Sequence, residues 1–227
     1  MTFSTKFFKF TAICAFVTGV LWLIALLLMF GFEIPTDVDS AITLHGNWAF
    51  NWEMTVSTIG VFIFVIAMWG FTARKMDGAA GLATTGFIFA FTDFLAYAIG
   101  HLMIFVSWNP AVAAYLEEAD EAVQANLRSN LLAGYSGAMD ALFMTSMVCA
   151  LIWMLLYAIA TWKGAGLEKG ISYLLFILFI LSLLFYATMG LELAWLDMLM
   201  MIVYMVLFAL VMFVLGAWLW KGKEAAR

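Results

Sequence analysis

The chain is expected to fold as an all-α polytopic membrane protein, a six-helix transmembrane bundle with one extramembrane amphipathic helix. Two observations predict this class. Of its 227 residues 67% are hydrophobic and only 11% charged, far from the balance of a soluble domain. Six apolar runs long enough to cross a bilayer then use up most of the length, which leaves 1–227 as a single transmembrane domain. A third observation orients it. With both termini inside, nine of the ten basic residues fall on the inner side and only Arg128 lies outside.

The first span is read at about 10–32. Lys6 and Lys9 precede it as in a signal peptide, but the run is too long and no small-x-small cleavage site follows. Gly31, Pro35 and the polar stretch to Ser40 end it. An aromatic approach with His45, Trp48, Trp52 and Glu53 suits the headgroup layer and leads to the second span, about 54–71. Arg74 and Lys75 stop that span, and Met76-Asp77-Gly78 reads as a tight turn.

The third span, about 81–108, carries Asp93, Tyr97 and His101 at spacings of four. On a helix these occupy one ~80° sector and rise ~12 Å. Gly86, Ala90 and Gly100 lie in or beside that sector and allow close helix approach. Asn109-Pro110 then reads as an N-cap and first helical position, opening an external helix over about 110–132. Glu117, Glu118, Asp120 and Glu121 crowd one side of it. With Arg128 as its single basic residue, it suits packing over the bundle mouth better than binding anionic lipid. Gly134 either separates it from the fourth span or marks a bend within one helix.

The fourth span, about 135–162, carries Asp140. The fifth and sixth, about 170–189 and 198–220, are joined by a turn holding Glu192, Trp195 and Asp197. Three spans precede the external helix and three follow, but the halves share no residue pattern. The basic turn after span two, the polar external helix and the ending Gly216-Ala217-Trp218-Leu219-Trp220-Lys221 resemble a group of uncharacterised bacterial six-helix membrane proteins classed as a domain of unknown function. That resemblance implies the layout and transfers no catalytic or binding residue.

Candidate chemistry follows from depth. Asp93 falls near the midplane, while His101, Asp140, Glu53 and His45 fall in the outer half. These groups are expected to line an outward-facing cavity capped by the external helix, with Ser136, Asp140, Met144 and Met147 as its second wall. An acid at mid-span costs about 2.5–3.5 kcal/mol to insert, so Asp93 needs either a function or an interhelical partner. The leading expectation is small-solute or proton-linked binding and transport through Asp93, Tyr97, His101, Asp140 and Glu53. The solute would be small and polar or cationic. A second expectation is a metal, haem or quinone held by His45, His101 and Asp140, although no metal-motif spacing is present and the sequence requires no cofactor. Methionines such as Met198 and Met205 suit Cu(I), but filling is their commoner use. A third is a non-catalytic accessory subunit whose small-residue faces dock a membrane-protein partner or a second copy. Enzymatic activity is not indicated, because nucleophile elbows, zincin motifs and phosphate loops are all absent. Without a basic patch away from the helix ends, nucleic acid is not an expected partner. Cys14 and Cys149 read as buried fillers. The expected location is a bacterial inner membrane with both termini cytoplasmic.

Overall fold

Apolar length and helix caps dictate the elements. A computed structural model describes residues 3–33, 35, 37–188 and 194–222, without the side chains of Ser136, Ala138, Met139, Ala194 and Asp197. Helix α1 spans Thr5–Met29 and begins where the Ser4 hydroxyl accepts from the Phe7 amide at 3.2 Å. The short α2, Val38–Thr43, is followed by α3, Trp48–Met103, capped by Asn47. Next come α4 (Asn109–Glu117), α5 (Glu121–Ala133), α6 (Asp140–Thr161), α7 (Leu167–Thr188) and α8 (Ala194–Trp220). All described regular structure is helical.

Five of these helices are long and apolar enough to cross a membrane. Their outward faces carry Phe10, Leu27, Phe62, Val148 and Ile180, all exposed, which is compatible with a multi-pass membrane protein. The 56-residue α3 would be about 84 Å long if straight. It is not straight. Ala79 has non-helical angles (φ −147°, ψ 41°), and beyond it the chain returns along itself. Phe94 packs on Phe64 with ring centroids 3.9 Å apart, and the His101 ring meets Thr58 at 3.3 Å. The turn expected at Met76-Asp77-Gly78 is therefore a kink one residue later, still inside an almost unbroken run of helical residues.

Small residues set how closely the helices pack. Along α1, Phe8, Ala12, Ala15, Gly19, Trp22 and Leu26 are buried at alternating spacings of four and three, the seam of near-parallel helix packing. A Cβ on Gly70 would lie 2.3–2.4 Å from Oγ1 and Cβ of Thr11, so glycine there lets α3 touch α1. Between α1 and α8 the fit is reciprocal. Phe213 lies over Gly19, and Phe16 lies over Gly216. The main core joins α1, α3, α6, α7 and α8 through Phe64, Trp153, Tyr157, Phe208 and their neighbours. Ser172 adds a hydrogen bond across α6–α7, donating to the Ala158 carbonyl at 2.8 Å.

A second, smaller cluster forms where Val38, Ala41 and Ile42 of α2 meet Trp108, Val112 of α4 and Leu131 of α5. This is the expected cap, but it is not one helix. Glu118 is extended, and Asp120 starts α5 by accepting from the amides of Ala122 and Val123. Four acids in one helical stretch repel one another, whereas one of them used as a cap is stabilised by the exposed amides. Nor is Asn109 an N-cap, since its angles are already helical (φ −57°, ψ −44°) and it is the first residue of α4. A π-helical turn, Ile104–Trp108, carries α3 into α4. It displaces the carbonyls that the ring of Pro110 would otherwise strike. A second π turn, Gly134–Met139, joins α5 to α6, so the alternative at Gly134 resolves to one bent path. The element α2 is additional to the sequence reading. Asp37 and Ser40 form a reciprocal capping box there, and Arg128 reaches Asp39 at 2.7 Å to fasten α5 to α2.

Candidate functional site: two buried carboxylates beneath the cap

Asp93 lies in the second arm of α3, about 21 Å along the helix from Ala79. Its side chain is buried, and both oxygens are taken. Ser146 donates to Oδ1 at 2.5 Å and the Trp153 indole donates to Oδ2 at 2.7 Å, both from α6. The face of α6 that meets α3 therefore runs through Ser146, Ala150, Trp153 and Tyr157. Gly86 supports this contact, since a Cβ there would sit 3.3 Å from the Tyr157 ring. Farther toward the basic end Thr72 and Tyr157 share a hydrogen bond of 2.7 Å.

One helical turn and more toward the cap, a second group gathers between the arms of α3. Glu53 is only 4% exposed and accepts from Ser57 at 2.6 Å. His101 is 7% exposed, sits against Thr58, and packs on Tyr97 with ring centroids 4.1 Å apart and the planes inclined by 53°. Tyr97 lies within electrostatic reach of both Glu53 and Asp93. Tyr186 of α7 and Tyr204 of α8 lie within electrostatic reach of Asp93. Beside this set the buried Trp22 indole nitrogen has no hydrogen-bond partner among the described residues. It lies beside Gly60, where a Cβ would be 3.9 Å away.

Family models, curated proteins and solved structures were compared with this chain, and none matches. The site must therefore be read from its own geometry.

The structure brings together Asp93, Tyr97, His101 and Glu53 from the expected set. It does not bring in Asp140 or His45. Asp140 is exposed in the first turn of α6, and His45 is exposed in the turn after α2. Met144 is 52% exposed, so the second wall anchored on Asp140 is on the wrong face. Ser136, Glu192 and Asp197, also expected near the outer end, lie outside the described residues or side chains. The metal or haem set of His45, His101 and Asp140 is dispersed. No group of three or more His, Cys, Asp or Glu able to hold a metal occurs among the described residues. A cavity of about 790 Å³ lies at the other end, against Lys75, Lys163 and Glu168, and a smaller one lies between Phe16 and Trp220. Sequence reasoning missed Ser57, Thr58, Ser146 and Trp153. Ser57 had a signal, standing one helical turn from Glu53 on the same face.

Chemically, the arrangement holds two carboxylates among neutral donors. Hydroxyl and indole groups satisfy hydrogen bonds but supply no positive charge. Neither Glu53 nor Asp93 has an ion-pair partner among the described residues. In an apolar interior a proton is then the cheapest source of neutrality for each.

Proposed function

We propose that the chain is a six-crossing integral membrane protein, with both termini cytoplasmic, that binds a small polar or cationic solute in exchange for a proton. Glu53 and Asp93 carry that proton, Tyr97 and His101 link them, and the two π turns let the cap move. The reading rests on one observation: two carboxylates buried beneath the cap face only neutral donors. An acid kept there without a cation is ready to trade its proton for a positively charged group. The fold-back of α3 at Ala79 supports the sixth crossing, and the nine-to-one distribution of basic residues supports the orientation. The unpartnered Trp22 indole offers a donor to whatever enters beside Tyr97.

Vesicles containing the purified protein and a trapped pH-sensing dye test this against a panel of small amines, amino acids and inorganic cations. At least one solute is expected to move protons in the wild type, and Asp93→Asn or Glu53→Gln should abolish the signal. Wild-type vesicles indistinguishable from empty ones across the panel would refute it.

A second reading is favoured by the completeness of the Asp93 contacts. With both oxygens occupied from α6, Asp93 clips α3 to α6 and fixes their register. Retained solute-driven proton movement in Asp93→Asn, together with lost stability, would select it.

A further inference from the structure

The basic end carries a feature that the carboxylate site does not use. The cavity of about 790 Å³ lies where the kink of α3 meets the α6–α7 loop. Its floor is ion-paired: Lys75 binds Glu168 at 2.6 Å. Gly164 makes that pair possible, because a Cβ there would sit 2.4 Å from Cδ and Cγ of Glu168. The rim also holds Lys163, which is exposed and has no ion pair or hydrogen bond among the described residues. Two lysines against one glutamate leave one positive charge in excess on the lining. Just beyond, the Lys169 ammonium rests over the Trp162 ring at 3.8 Å and donates to the Trp162 carbonyl. Below the rim the wall turns apolar, with Leu82, Ile159 and Phe176. Ile159 is 44% exposed, so this wall faces outward from the bundle.

A cationic rim above an outward apolar wall, set at the end where cations lie on aromatic rings, matches one kind of molecule. We propose that this groove is a binding site for an anionic phospholipid of the cytoplasmic leaflet. Its phosphate is held by Lys163 at the rim, and one acyl chain lies along Leu82, Ile159 and Phe176. The paired Lys75 and Glu168 orient the headgroup's neutral hydroxyls, and Lys163 supplies the uncompensated charge. The proposal rests on the membrane reading above and is independent of proton chemistry at Asp93. Basic pockets between helices on the cytoplasmic side recognise anionic headgroups by the same combination of charge and apolar wall.

The test uses the full chain. Flotation with phosphatidylglycerol vesicles first establishes membrane insertion. Native mass spectrometry of the micelle-bound protein then compares retention of phosphatidylglycerol with that of phosphatidylcholine. One phosphatidylglycerol is expected to be retained in preference, and Lys163→Ala should weaken it about five-fold. Leu82→Trp should weaken it by filling the wall without changing charge, while Lys6→Ala, away from the groove, should leave it unchanged. A thermal melt matching the wild type keeps each variant interpretable. Equal retention of the two lipids, or retention insensitive to both groove variants, overturns the site. Displacement by soluble glycerol phosphate at similar concentration shows a free-phosphate site and overturns the lipid assignment. Failure to float overturns the membrane reading along with it, whereas floating without lipid preference overturns this proposal alone.

Discussion

The two ends of the bundle treat charge in opposite ways. At the basic end, cations lie near the surface on rings and carbonyls: Arg74 stacks on Trp218 at 3.9 Å and donates to its carbonyl, and Lys9 lies over Trp220. Beneath the cap, Glu53 and Asp93 are turned inward and held by hydroxyls and an indole. The contrast follows from side-chain reach. Long basic stems carry their charge out of the apolar layer, whereas a short aspartate at mid-helix must find donors where it stands. Charge at the basic end thus serves to anchor, and charge beneath the cap is a constraint that the fold keeps.

The sharpest way to break this contrast is to remove an inward acid. Asp93→Ala strands the Trp153 and Ser146 donors and should cost on the order of 2–3 kcal/mol in denaturant or thermal unfolding. The exposed Asp140→Ala should change stability by less than about 0.5 kcal/mol. Equal losses at the two acids would erase the distinction. Next in size is Gly70→Ala, where the added methyl meets the Cβ of Thr11, an atom that cannot swing aside. A loss of about 2 kcal/mol is expected, partly restored by Thr11→Gly, which removes that atom.

Smaller effects sharpen the cap. Arg128→Ala breaks an exposed pair and should cost under about 1 kcal/mol, yet it should speed protease cleavage between α4 and α5. Smallest is an acid effect at Asp37. The Ser40 amide, then its hydroxyl, hold this carboxyl below its ordinary value of 3.8. A depressed folded value means stability present above the unfolded value and lost as pH falls through the folded one. Protection of the α2 amides against hydrogen exchange should therefore fall below pH 3.8, and Asp37→Asn should flatten that dependence.

Much of the bundle was legible because its signals are local. Apolar run length fixed the long helices, and spacing alone put Asp93, Tyr97 and His101 on one buried face. The burial of Glu53 is not legible in the sequence, since it depends on the returning arm of α3. Asp140 stands in an apolar run, which suggests an interior acid, but it follows a π turn and is exposed. Neither π turn is visible in hydropathy, and each shifts the faces that follow by a residue. The α2 capping box was readable from Asp37 and Ser40, but six residues carry too little periodicity to announce a helix.

Infrared difference spectroscopy of the purified protein across pH tests the account most directly, because a protonated buried carboxyl has its own carbonyl stretch. The account predicts bands that appear on acidification, with one lost in Asp93→Asn and another in Glu53→Gln. A wild-type spectrum with no protonated-carboxyl band at any pH where the protein stays folded would contradict it.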